Sequence, residues 1–163
     1  IYQSRLWSFV DRLHVQFDIP DVDHRFFGEL IMQNYELVIK EHHLDTFGHV
    51  NNATYLQLFE EARWELITAR GFGMAEIMKR RQGPVVLEIQ IKFIKELKLR
   101  EKIQINFETL DHKGKIGHFK QQMINAQGDV ACEATFTVGF FDLNARKLID
   151  PTEDWKKAVG IMY

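Results

Sequence analysis

The sequence predicts an α+β domain in which an antiparallel sheet wraps around one long helix. Three observations predict it. Apolar residues recur at helical spacing over one long stretch, Ala53 to Arg70. Beyond Pro84 the apolar period changes to two, in segments joined by short polar turns. The order is then strand, helix and four strands, so one helix stripe and one sheet face have only each other to cover them. A chain of 163 residues, 45% of them hydrophobic, supplies one such core and not two.

Taken in order, Leu6, Phe9, Val10 and Leu13 at helical spacing suggest a first amphipathic helix, Asp18 to Asp23 with Pro20 a break, and Phe26 to Ile31 a short second helix. Residues 1–33 are therefore expected to be a helical appendage, either packed on the body or serving as a lid or partner-binding arm, and residues 34–163 the main domain. A strand is expected from Tyr35 to His42. The long helix follows the turn at Gly48, with Asn51 or Asn52 as N-cap, because a short side-chain oxygen accepts from the first free helical N–H groups. Gly71 is the natural stop. Tyr55, Phe59, Ala62 and Leu66 form the apolar stripe. A second short helix, Met74 to Arg81, ends before Gly83-Pro84.

Val85, Leu87, Ile89, Ile91 and Phe93 then mark one face of a half-buried strand, and Ile103, Ile105 and Phe107 mark the next. After the turn Asp111 to Lys115 comes His118 to Ala126, and after Gln127-Gly128-Asp129 a strand whose face is Val130, Cys132, Ala134, Phe136, Val138 and Phe140. Short turns imply antiparallel hairpins.

Composition narrows the function classes. A formal net charge of −2 gives no global field for nucleic acid, and no apolar run approaches the roughly 20 residues that span a bilayer. The lone cysteine, Cys132, excludes an intramolecular disulfide and reads as a small core residue. A cytoplasmic setting is expected, with an organellar one left open because the sequence starts at Ile1 rather than at a methionine.

The densest chemistry lies in His43-Leu44-Asp45-Thr46-Phe47-Gly48-His49-Val50-Asn51-Asn52-Ala53-Thr54-Tyr55, running into Phe59-Glu60-Glu61-Ala62-Arg63. One acid is delivered on a glycine turn beside a helix N-terminus, whose free N–H groups and dipole can polarise a carbonyl oxygen. Acyl transfer needs both parts: an acid near the reacting carbon either attacks it or activates a water. Asp45 can also simply cap its own turn. His49 either orients Asp45 or is packed against a backbone carbonyl. Asn51 and Asn52 are cap candidates, and either can also hold the attacking water or the carbonyl oxygen. Glu60 is a second acid about two turns into the helix, or a partner for Arg63 and Trp64. His42 and His43 would point to opposite faces of a strand, so they are not expected to share a metal ion, and no metal is expected.

Asp45-x-x-Gly48, Asn52-Ala53-x-Tyr55 and Phe59-Glu60-x-Ala62-Arg63, with the element order, resemble the 4-hydroxybenzoyl-CoA thioesterase-like branch of acyl-CoA thioesterases, which have the hotdog fold. The resemblance covers roughly Tyr35 to Pro151. His49-Val50-Asn51-Asn52-x-x-Tyr55 is also similar to a motif of plant-type acyl-ACP thioesterases, although Phe47 stands where those carry an asparagine, which favours coenzyme A. Some members of the branch have Asp-Thr-Asp before the glycine, where this chain has His43-Leu44-Asp45, and many have a histidine where Asn52 stands.

The resemblance implies hydrolysis of a fatty or aromatic acyl-CoA to free acid and CoA, with Asp45 as nucleophile or general base and a backbone N–H around Asn52 to Thr54 polarising the thioester carbonyl. Water suffices as co-reactant and no cofactor is implied. It also implies at least a homodimer, with a tetramer open. CoA phosphates need cations, for which Lys113, Lys115 and His118 are candidates, as are Lys98 and Arg100. The rivals are a non-catalytic acyl-CoA-binding protein, an acyl-ACP thioesterase and an acyl-thioester dehydratase on the same fold.

Overall fold

The computed structural model describes residues 33–161. The expected helical appendage lies outside them, apart from Gln33, where the first strand begins. The elements are β1 (Gln33–Val38), a 3-10 turn (Glu41–His43), α1 (Asn52–Ala69), α2 (Met74–Arg80), β2 (Gln82–Phe93), β3 (Lys102–Lys113), β4 (Ile116–Ile124), β5 (Val130–Asp142), β6 (Lys147–Leu148) and α3 (Glu153–Ala158). The strands form one antiparallel sheet in the order β1-β3-β4-β5-β2, with β6 pairing the end of β5.

The long helix is where its stripe placed it. Tyr55, Phe59 and Ala62 are buried, joined by Leu58 and Ile67, while Leu66 is half-buried against the core. Ile103, Ile105 and Phe107 of β3, Phe119 and Met123 of β4, and Cys132, Ala134, Phe136, Val138 and Phe140 of β5 meet that stripe. Each large apolar side chain taken out of water this way contributes about 1.5–3 kcal/mol. This is the helix-in-sheet wrapping of a hotdog fold. The Cys132 thiol is pushed up to about 12 by burial, as befits an inert core residue.

Three local expectations shift. The first strand stops at Val38, and His42 and His43 lie instead on the 3-10 turn, His42 exposed and His43 buried. The regular alternation of β2 is broken by a bulge between Val86 and Glu88, so Val86, Ile89, Ile91 and Phe93 share the inner face and Val85 and Leu87 do not. The third segment after the helix starts earlier, at Ile116.

The C-terminal helix was not foreseen. Trp155 of α3 is 3% exposed among Phe72, Phe119 and Phe140, with ring centroids 5.3–6.3 Å apart, and Thr109 Oγ1 donates to Val159 O at 2.5 Å. These contacts close the end of the sheet opposite the Asp45 turn. Among the described residues no helix is long and apolar enough to cross a membrane.

Candidate active site

The segment around Asp45 folds as a three-rung hairpin. Asn51 N–H donates to His43 O at 2.9 Å, Leu44 bridges Val50, and Asp45 N–H donates to His49 O at 2.7 Å. The loop Thr46-Phe47-Gly48 closes it, with Gly48 N–H donating to Asp45 O at 3.1 Å and Gly48 at φ +78, a conformation that strains any residue with a Cβ.

Asp45 holds this loop with one oxygen. Its Oδ1 accepts from Phe47 N–H at 2.8 Å and from His49 N–H at 3.2 Å. Among the described residues nothing bonds Oδ2, and the side chain is half-exposed. The capping and the chemical readings of Asp45 are thus compatible: one oxygen fixes the carboxylate and the other is left for water or substrate.

The hairpin feeds directly into α1. Asn51 is the N-cap, its Oδ1 accepting from Ala53 N–H at 2.9 Å, while Thr54 N–H donates to Asn51 O at 2.9 Å. Among the described residues Asn52 N–H has no acceptor, which leaves it as the amide at the positive end of the dipole free to meet a substrate oxygen. Asn52 itself is exposed and helical, not a cap. Tyr55 anchors this end of the helix edge-to-face on Phe93 at 5.1 Å, beside the buried Leu97, and burial pushes its hydroxyl up to about 12.

Residues distant in sequence complete the surroundings. His49 Nε2 lies 3.6 Å from Glu96 Oε2, beyond hydrogen-bond length but within ion-pair range, so the loop between β2 and β3 faces the Asp45 hairpin. Lys98 is exposed on that loop, whereas Lys95 is paired with Asp129 and Arg100 with Glu41. Sequence reasoning missed Glu96, which no motif flags. It also missed Tyr35, whose hydroxyl donates to Glu61 at 2.6 Å and is pushed up to about 12 chiefly by that bond, so Glu61 turns toward β1.

Glu60 lies about 100° further round the helix and is exposed on the side away from β1. It is not Arg63's hydrogen-bond partner. Arg63 is buried with its guanidinium 4.7 Å over Phe136, its Nη1 donating to Gln121 Oε1 at 2.8 Å, and Gln121 Nε2 donating to Phe59 O at 2.9 Å. Burial, the larger influence, lowers the Arg63 pKa from its ordinary value, yet the network is a strut between α1 and β4.

Lys113, Lys115 and His118 are not brought to Asp45 within the chain. They flank the β3–β4 hairpin, and β3, 12 residues long, has its other end by the Glu96 loop. At about 3.3 Å per residue that is roughly 36 Å of strand. His118 Nδ1 is 2.6 Å from Asp111 Oδ1 across that hairpin.

Comparison with known proteins bears on the family and the fold. The family model of the Thioesterase-like superfamily matches residues 39–159. The long-chain acyl-CoA thioesterase FadM of Escherichia coli is 29% identical over 116 residues, 70% of this chain and 86% of that protein. The crystal structure of YbaW, a probable thioesterase from Escherichia coli, superposes with a TM-score of 0.69 at 25% identity, covering 79% of this chain and 97% of that one. A Staphylococcus aureus protein determined in complex with CoA shares the fold at a TM-score of 0.75 and 15% identity, over 80% of this chain and 82% of that one. The chain belongs to the thioesterase-like superfamily.

Proposed function

We propose that this protein is an acyl-CoA thioesterase that hydrolyses a fatty or aromatic acyl-CoA with Asp45 as its central acid. The observation that carries the reading is the split use of the Asp45 carboxylate, Oδ1 held by two backbone amides and Oδ2 unbonded among the described residues, on a hairpin that ends at the capped N-terminus of α1. In this reading the thioester carbonyl oxygen accepts from Asn52 N–H. Asp45 Oδ2 then either takes a proton from the attacking water or adds to the carbonyl carbon to give an anhydride that water opens, and the thiol of CoA leaves. In this reading His49, Asn51 and Asn52 flank the reacting groups, Asn51 by holding the helix start. Glu60 is the reserve acid. The long-chain substrate of FadM favours a fatty acyl group.

For the CoA phosphates, Lys98 is the cation of the loop facing Asp45 that forms no ion pair among the described residues, where Lys95 and Arg100 are paired. Lys113, Lys115 and His118 serve only if CoA reaches them from the site of another copy. A partner copy is part of the reading. β2 is an edge strand among the described residues, and its inner-face Val86 and Ile89 are 41% and 39% exposed although their β5 neighbours are covered. A second β2 running antiparallel would cover them. Centred on Gln90, it would set Glu88 opposite the partner's Lys92 on the outer face and Ile89 opposite the partner's Ile91 on the inner one.

The test is thiol release from short, medium, long and aromatic acyl-CoA esters by the native protein, Asp45→Asn and Glu60→Gln. Hydrolysis by the native protein and by Glu60→Gln, with turnover of Asp45→Asn lower by about two orders of magnitude or more, is the expected result. Binding of acyl-CoA without thiol release would leave a binding protein, and loss in Glu60→Gln instead would move the chemistry to the helix.

A further inference from the structure

The base of the Asp45 hairpin is a buried histidine. His43 is 8% exposed, and every polar group it presents toward the turn is engaged. Its N–H donates to Lys40 O at 3.0 Å, its carbonyl accepts from Asn51 N–H at 2.9 Å, and its ring Nδ1 accepts from Lys40 N–H at 3.1 Å. One residue therefore joins the 3-10 turn, the first rung of the hairpin and the N-cap of α1.

We propose that His43 is a positioning residue for Asp45, its neutral imidazole serving as the acceptor that pins the hairpin, and that protonating it releases the acid from its working position. This rests on the thioesterase reading above. An Nδ1 that accepts an N–H must carry a lone pair, which puts the ring proton on Nε2. Adding the second proton sets an N–H against the Lys40 N–H, so the imidazolium and the closed turn are incompatible. The released turn holds the His43–Asn51 rung, and Asp45 sits two rungs along the same ladder.

The surroundings favour the neutral ring. Burial is the largest influence lowering its pKa from the ordinary imidazole value, with the charges of His42 and Lys40 next, and Glu61 of α1 opposing them. The His42 ring stands edge-on to it at 4.3 Å, Glu61 is itself bonded by Tyr35, and Glu41 beside it is paired with Arg100. The switch therefore acts on the acid side of the ordinary imidazole range.

The experiment uses the full chain and measures kcat and KM on one acyl-CoA across acidic to neutral pH for the native protein, His43→Asn and His43→Ala. In parallel, 15N NMR follows the His43 ring nitrogens, and amide exchange follows Asp45 and Asn51. Asparagine carries an oxygen at the reach of Nδ1 that accepts without titrating in this range. The expected result is an acid step in native kcat that tracks the His43 ring titration, its removal in His43→Asn, and a kcat about tenfold lower in His43→Ala, roughly one such hydrogen bond, with KM changed less. A native acid step persisting in His43→Asn, or a ring protonated on Nδ1 at neutral pH, overturns the proposal. If His43→Asn does not fold, the native NMR titration and its match to kcat decide. If the native protein releases no thiol, the thioesterase reading fails. The amide exchange then tests His43 separately: faster exchange at Asp45 and Asn51 as the ring titrates supports the switch, and unchanged exchange sinks it.

Discussion

Asp45 is asked to do two things, and two substitutions separate them. Replacing it with alanine removes both the charge and the Oδ1 that accepts from Phe47 and His49 at 2.8 and 3.2 Å. Replacing it with asparagine removes the charge and keeps an oxygen in the same place. Each of those hydrogen bonds is worth about 0.5–1.5 kcal/mol net, and the exposed loop puts them at the low end, so Asp45→Ala should cost about 1–2 kcal/mol. For a domain of this size that is a fall in Tm of roughly 2–8 °C. Asp45→Asn, with neutral rather than charge-assisted bonds, should lose no more than about half of it. Activity should not follow stability: a positioned acid or base contributes about 10²–10⁴-fold, so both variants should lose at least two orders of magnitude in kcat. The assays are calorimetry and thiol release on the same preparations. Equal Tm losses would show that Oδ1 does not support the loop. An Asp45→Asn enzyme with more than about a tenth of native kcat would end the case for Asp45 as reacting acid.

Other outcomes follow from the same geometry. Gly48→Ala meets no atom within 4 Å of the added Cβ, so its cost should be purely conformational, about 1–2 kcal/mol by urea denaturation, and Gly48→Asn should cost less. His43 and His112 both have pKa values lowered first by burial, and for His112 next by Lys156. Their unfolded values of about 6.5 therefore lie above the folded ones. The stability they contribute is whole above that pH and falls as pH drops toward the folded values, so urea midpoints should decline from pH 7.5 to 5.5, less so in a His43→Asn, His112→Asn double variant. For the β2 edge, Ile89→Lys should give monomers in sedimentation, and Glu88→Lys or Lys92→Glu alone should weaken association that the double exchange restores. Full association in Ile89→Lys would exclude that edge.

The glycine turn, the cap and the helix were legible because they are local. Gly48 dictates the turn, an asparagine supplies the cap, and the 3.6-residue period of Tyr55, Phe59 and Ala62 names the buried face before any partner is known. The strands of the sheet were readable for the same reason, since a period of two needs no knowledge of register. The bulge at Val86 and Glu88 was not readable, because it exists only in the pairing with β5, and it decides which residues of β2 face the helix.

The site divides along the same line. Sequence alone determined that an acid, a glycine turn and a helix start come together, since they are contiguous in the chain. Only the tertiary structure decided that His43 is buried and bonded through Nδ1, that Glu96 stands across from His49, that Arg63 is a strut with Gln121 rather than a partner for Glu60, and that Lys113 and Lys115 lie at the far end of β3. Each of those depends on which strand or loop folds back against the hairpin. Contacts between residues far apart in sequence leave no period and no motif behind.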